Sequence, residues 1–463
     1  MKYIVVILDG AAGTPLADTD TPYDGQTTLE AASIPVIDLM ARQGRVGLAR
    51  TVPEGFEPSS AAACTSILGY DPVQCAIGRG AIEAVGMGVA LAPDEVALRV
   101  NTLIIEDGVM SSYACDHIET ASSRALVTEL AAKLNDDTFS LHPGIAYRHL
   151  LVVKGHPELL DVAFTPPHDI TDQSIDGHLP RGGAGADLLL GFMERAHKLL
   201  PTLTANLDRV AHGERACTDL WPFWPGVAPT GLVSFTERFG KSAALSSGVD
   251  LLGGMATLFG LDRLDIAGVT DGLDNDFAAQ VAGSLDALDT HDLVVIHIEA
   301  PDEEGHAGSW QGKMVALEKI DSQVMTRVLT YAKQHGEGGV RVLVMPDHPT
   351  PVALMTHTGD PVPWVLWGSG ITESETPVGA YNELEASETG VLLDPATQLM
   401  ELLLSDGEVE LAAAEGADAG ADAAAAAGDA AAAEGADAGT DAAAAAEDAA
   451  AAGDAAGAPE DCS

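Results

Sequence analysis

The residues best able to do chemistry in this chain lie in the stretch HIEAPDEEGH (297–306) and in its sequel, Pro346-Asp347-His348 and then His357. Asp302, His306, Asp347, His348 and His357 offer carboxylate and imidazole donors, with no cysteine among them. Asp302 and His306 are four apart, so on a helical turn they point from one face. Such a donor set suits Mn2+, Zn2+ or Mg2+ better than copper or an iron–sulfur cluster. Taken singly, an acidic residue after a strand is an ordinary helix cap, and a histidine such as His297 or His357 an ordinary packed side chain. Five donors converging from several strand ends are not explained that way and point to a two-metal site.

The elements that must position them are apolar, β-branched runs. Tyr3 to Leu8 ends on Asp9-Gly10, Leu293 to Ile298 leads into Asp302, and Val340 to Met345 leads into Asp347 and His348. Each reads as a buried parallel strand with donors at its carboxyl end, where open α/β sheets place their sites. Strands and helices alternate from Met1 to about Asp71, with Ala31 to Met40 reading as helix with Pro35 near its start, and alternation resumes near Gly231. Between them the character changes: a hairpin-like pair around Asp107-Gly108, a helix near Ser123 to Leu134, a turn-rich Thr165 to Asp169, and Trp221-Pro222-Phe223-Trp224-Pro225. The expected architecture is a doubly wound α/β core (1–85 and 226–405) interrupted by a smaller α+β domain (86–225). Residues 406–463 are Ala, Gly, Asp and Glu with no large apolar side chains to bury beyond their first few positions, which reads as a disordered, solvating tail.

The formal charge is −47. Fifteen of the acidic residues lie in 406–463, which leaves −32 on the first 405. That balance argues against nucleic acid or an anionic membrane surface as partner and requires a local cationic cluster for any anionic substrate. It sets no oligomeric state. The cysteines are five, with no CxxC spacing, so neither structural zinc nor a disulfide framework is expected and a reducing cytoplasm fits. The first apolar run is too short for a signal segment or a membrane span.

A nucleophile is available in the stretch from Val52 to Pro72, where a Gly/Pro loop ends in Ser59-Ser60 before an Ala-rich helix. A serine there meets helix-terminal N–H groups that stabilise an alkoxide or a phosphoserine. By itself, Ser-Ser before a helix is an ordinary cap.

Taken together, VVILDG, PEGFEP with Ser59-Ser60 and SILGYDP, GRGAIEA (78–84), TPPHDIT (165–171), APDEEGHAG (300–308) with the following KMVALEKID, and PDHPTPV with His357 to Pro363 resemble the archaeal-type cofactor-independent phosphoglycerate mutases of the alkaline phosphatase superfamily. The resemblance covers residues 1 to about 405. It implies an isomerase of glycolysis and gluconeogenesis that interconverts 3- and 2-phosphoglycerate through a phosphoserine. It puts one ion on Asp302, His306 and His357, and the other on Asp9, Asp347, His348 and the nucleophile, placed at Ser60. Mn2+ is the expected metal, with Mg2+, Zn2+ or Co2+ as substitutes. Arg79, Arg99, Arg148 and His168 resemble the substrate grip, with His117 a weaker member, and Asp169 is expected to act in catalysis. Two departures stand out: Ala61 where the family usually has aspartate, and Ser111 to His117 where its archaeal members tend to be Arg-rich. A phosphotransferase or phosphatase using the same serine on another small molecule, in the manner of a homoserine kinase, is the alternative. A metal-binding protein without catalysis is the third reading.

Overall fold

The three apolar runs become the middle of a sheet because β-branched side chains on both faces need cover. The computed structural model describes residues 1–17, 21–75, 78–229, 231–335 and 339–405; the expected disorder of the 406–463 tail lies outside the described residues. In chain order the strands are β1 (Lys2–Leu8), β2 (Arg45–Ala49), β3 (Glu95–Glu106), β4 (Val109–Ser112), β5 (Phe139–Ile145), β6 (Arg148–Lys154) and β7 (Asp219–Val227). They continue with β8 (Ala243–Ser246), β9 (Asp262–Arg263), β10 (Leu293–Ile298), β11 (Val340–Met345), β12 (Val362–Gly368) and β13 (Leu392–Leu393).

Eight strands form the central sheet in the order β13-β2-β12-β11-β1-β10-β8-β9. β1 runs parallel to β10 and β11, with Val5 opposite Val295 on one side and Leu343 on the other. The parallel arrangement holds from β8 through β11, and β12 is antiparallel to both β11 and β2, so the sheet is mixed. Every residue of β10 and β11 is buried, as continuous apolar runs demand.

The second sheet is antiparallel, β4-β3-β6-β5 with β7 on the other side of β3, and is built from strands between residues 95 and 227. Leu98, Leu126, Leu130, Leu151, Phe192 and Leu220 share its hydrophobic cluster. Its hairpin turns at Asp107-Gly108, both with positive φ (49° and 79°), as a tight β-turn matched to strand twist requires. The helix Arg79–Gly86 joins the two sheets, packing on β3 and β7 and on the helix Asp250–Phe259.

Two expectations are corrected. The single helix read from Ala31 to Met40 is two, Thr28–Ala31 and Pro35–Gln43, because a residue before proline avoids helical backbone and Pro35 instead opens the second helix. Cys115 and Cys217 form a disulfide. Neither spacing nor parity shows that pair, because antiparallel pairing of β3 with β7 is what brings the two segments together. Among the described residues no helix is long and apolar enough to cross a membrane.

Gly10, directly after β1, shows how tightly the carboxyl end of this sheet is built. Its φ is +59°, and a Cβ there would collide with the Asp302 carboxylate and the Thr350 hydroxyl. Gly25 also has positive φ (+81°) but faces open space. Gly25→Ala should therefore cost about 1 kcal/mol of backbone strain alone. Gly10→Ala should cost visibly more in thermal unfolding and also weaken Mn2+ binding in a titration. Equal effects of the two substitutions would mean that the Asp302 side chain gives way freely.

Candidate functional site

Strand register sets the site. Leu8 pairs with Ile298 and Ile7 with Met345, so β1, β10 and β11 end at nearly one level. Asp9, Glu299 and Asp347 leave from those ends. The helix Ala300–His306 follows at once, with Pro301 in its first turn, and places Asp302 and His306 one turn apart.

Among the described residues four groups of donors have ligand atoms mutually within 4.8 Å, and two of them are those the sequence singles out: Asp302 with His306 and His357, and Asp9 with Asp347 and His348. In the first, the Nε2 atoms of His306 and His357 are 2.9 Å apart and face the Asp302 carboxylate at 3.2 and 3.5 Å. Each Nδ1 meets a backbone carbonyl, His306 at Met355 (2.9 Å) and His357 at Pro58 (3.3 Å). A carbonyl accepts only from Nδ1–H, so in the neutral rings both Nε2 lone pairs point at one spot, the preparation expected of metal-binding histidines. The Asp302 carboxylate pushes His306 up to about 9. Burial alone would raise the Asp302 carboxyl, but His306 and His357 hold it well below its usual range.

In the second group Asp347 Oδ1 accepts from the N–H groups of Gly10 (3.1 Å) and His348 (2.8 Å), which leaves Oδ2 turned toward His348 Nε2 at 3.3 Å. Asp9 presents Oδ1 to His348 Nε2 at 3.6 Å and Oδ2 to His297 Nε2 at 2.8 Å, yet neither oxygen has a well-formed hydrogen bond among the described residues. Burial, with the neighbouring Asp347 and Asp302 carboxylates, pushes Asp9 well up. A fully buried carboxylate without donors, opposite imidazole Nε2 atoms, fits a divalent cation. Thr350 links the groups: its hydroxyl donates to Asp302 Oδ1 and lies 3.4 Å from His348 Nδ1.

Ser60 sits against this second group, its Oγ 3.1 Å from His348 Nε2. It is the first residue of the helix Ser60–Ile67, whereas Ser59 is the cap, accepting from the Ala62 N–H at 3.4 Å. The two serines thus divide the roles that their sequence leaves open. Ser60 is buried to 9% exposure and lines a cleft of about 870 Å³.

Across that cleft lie Arg79, Arg99, Arg148, His168 and Asp169, beside Tyr113, Tyr147 and Trp224. Glu83 Oε1 bridges Arg79 Nε (3.4 Å) and Arg99 Nη1 (2.9 Å). Burial lowers His168, which is 3.5 Å from Asp169. His117 does not line the cleft; it is exposed, with its ring near those of Tyr113 and Tyr147.

Several site residues escape sequence reasoning. His297, discounted as a packed ring, contacts Asp9, and Glu299 forms a further compact group with both. Lys313 is fully buried on the helix Trp310–Lys319 and donates to the carbonyls of Ala12 (3.0 Å) and Thr350 (2.7 Å), tying together the loops after β1 and β11. Burial lowers its pKa to about 8. The signal in the sequence is faint: a lysine on the apolar side of an otherwise ordinary helix.

A family model for 2,3-bisphosphoglycerate-independent phosphoglycerate mutase matches residues 41–206. The enzyme of that name from Methanosarcina acetivorans is 40% identical over 406 residues, covering 87% of this chain and 100% of the relative. A probable one from Geobacter sulfurreducens is 39% identical over 408 residues, with 87% and 100% covered. Among solved structures, the PH0037 protein of Pyrococcus horikoshii superposes with a TM-score of 0.72 at 24% identity, covering 89% of this chain and 99% of that one. The cofactor-independent phosphoglycerate mutase of Thermoplasma acidophilum gives 0.57 at 24%, with 87% and 99% covered. These two likenesses concern the fold.

The donor geometry fixes a pH response. His306 is raised from 6.5 to about 9 by Asp302, so its contribution to stability is complete below 6.5 and lost as pH rises through 9. Asp9 and Glu299 are raised too, by burial first, and act in the same direction, since their charged forms are the costly ones. In excess chelator the melting temperature should fall between pH 6.5 and 9. With saturating Mn2+ it should hold or rise, because the ion replaces the protons. A chelated protein that grows more stable across that interval would contradict the assignment.

Proposed function

The chain belongs to the 2,3-bisphosphoglycerate-independent phosphoglycerate mutases, and on that premise we propose how its own residues carry the phosphoryl group. The observation that supports the reading most is Ser60 Oγ, at a helix start and 3.1 Å from His348 Nε2, facing a cationic wall across one cleft. Asp302, His306 and His357 would hold one divalent ion, and Asp9, Asp347, His348 and Ser60 the other, with Mn2+ as the metal and Mg2+, Zn2+ or Co2+ as substitutes. When bound, such ions lower the pKa of the serine hydroxyl and offset the charge of the phosphoryl oxygens.

Ser60 Oγ attacks the phosphorus of 3-phosphoglycerate as an alkoxide, its proton released to solvent before transfer; its bond to phosphorus forms as the ester bond to the C3 oxygen breaks, and the alkoxide is restored when that bond is later broken. The departing oxygen takes a proton from the Asp169–His168 pair. The N–H groups at the start of the helix hold the phosphoryl oxygens of the resulting phosphoserine. Arg79, Arg99 and Arg148 keep the glycerate carboxylate in the cleft while its C2 hydroxyl turns toward the phosphoserine. That hydroxyl gives its proton back to Asp169 and attacks phosphorus, the bond to Ser60 Oγ breaks, and 2-phosphoglycerate leaves. The segment 86–225 acts as the cap that keeps water from the phosphoserine, which separates a mutase from a phosphatase. A cytoplasmic location is part of this reading, resting on the family's place in glycolysis and not on the cysteines, two of which are paired.

Ser60→Ala should abolish turnover of 3-phosphoglycerate and leave no covalent phosphate on a protein that still folds. Ser59→Ala loses a cap, about 1 kcal/mol, and should keep most turnover. Mass spectrometry after incubation with Mn2+ and substrate checks both. Phosphoserine persisting in Ser60→Ala would move the nucleophile elsewhere. Wild-type hydrolysis of phosphoglycerate without formation of 2-phosphoglycerate would favour a phosphatase.

A further inference from the structure

The tryptophan-rich close of the inserted segment contains one residue with an unusual backbone. Leu98 of β3 pairs with Pro225 and its neighbour Arg99 with Phe223, so Trp224 is an extra residue in β7, a β-bulge. Its φ is +50°, a left-handed conformation that costs a bulky side chain on the order of 1 kcal/mol or more. Bulges re-aim side chains beside sites. Here the indole turns onto the cationic wall: the Arg79 guanidinium lies 3.9 Å from its centroid, with Arg99 and the His168 ring each at 5.6 Å. The neighbouring backbone is shaped to the bulge. A Cβ on Gly80 would run into the carbonyls of Ala97 and Trp224, and one on Gly226 into the chain at Gly78 and Ala81. The helix that carries Arg79 is thereby pressed against the bulge that carries Trp224.

Resting on the mutase reading above, we propose that Trp224 is a positioning residue for phosphoglycerate, holding Arg79 and Arg99 as a fixed pair facing the anionic end of the substrate. Two guanidinium groups sharing Glu83 repel each other, and Arg99 Nε is buried without a hydrogen-bond partner. Burial, with Arg99 beside it, lowers Arg79 to about 10, which still leaves it charged near neutrality. A second carboxylate would hold the pair but cancel the charge that the substrate needs. An indole face attracts a guanidinium without neutralising it. The bulge lets β7 supply that face at the one point where helix and strand meet.

The test compares Trp224→Leu with Trp224→Phe, each alone and with Arg79→Ala. For Trp224→Leu, KM for 3-phosphoglycerate should rise roughly tenfold, with kcat within about threefold and Mn2+ content unchanged. Trp224→Phe, which keeps a ring face, should recover most of that KM. In the Arg79→Ala background Trp224→Leu should add less than about twofold, since its effect runs through Arg79. An unchanged KM in Trp224→Leu, an equal loss with Phe, or full additivity with Arg79→Ala overturns the proposal. Joint loss of kcat, metal and cooperative unfolding also overturns it by making the residue structural. Absence of wild-type turnover would sink the mutase reading and this proposal together, and is seen in the unmodified protein before any variant is made.

Discussion

Four carboxylates, on Asp9, Glu299, Asp302 and Asp347, converge at the carboxyl ends of three paired strands, and their charge governs everything around them. Taking one such group out of water costs several kcal/mol after relaxation unless it is paired. Asp347 and Asp302 are satisfied by backbone N–H groups, by Thr350 and by histidines. Asp9 is not, although it is fully buried. The in-register pairing of β1 with β10 and β11 makes this crowding unavoidable, and the left-handed turn at Gly10 leaves room for it. The outward Nδ1 hydrogen bonds of His306 and His357, and the lysine that ties the two loops together, then aim the donors at common points.

The opposite wall answers with the other sign. A body this acidic repels a phosphorylated acid at long range, so recognition has to be local. In the proposed mechanism Arg79, Arg99 and Arg148, which line one cleft, provide it in a protein that has only 23 lysines and arginines in all. The proposed phosphoryl transfer uses both walls: one to activate the serine oxygen and take up phosphoryl charge, the other to keep hold of glycerate while its hydroxyls exchange places. The second sheet is joined to the first through the helix that bears Arg79, so the proposed grip on substrate lies where the two sheets meet.

Much of the donor set was legible because strand ends are easy to read: an apolar run that stops on Asp9, or on Asp347 and His348, states both the element and its product. Glu299 was hidden because it is one more acid in an acidic stretch. Lys313 fits an amphipathic helix whether buried or exposed, and only the fold decides which. Trp224 depends on a one-residue slip between two strands 125 positions apart in numbering (Arg99 and Trp224), which no local pattern encodes. The Cys115–Cys217 disulfide was missed for the same reason, whereas Pro35 was legible near a helix start and only its exact place as the first helical residue was not.

Metal content per chain tests the central claim most directly. Protein stripped with chelator, equilibrated with Mn2+ and desalted should carry two ions by elemental analysis, and Asp9→Asn should carry one, because Asp9 belongs to only one of the two groups assigned to metal. One ion or none in the wild type, or two retained by Asp9→Asn, would contradict the account.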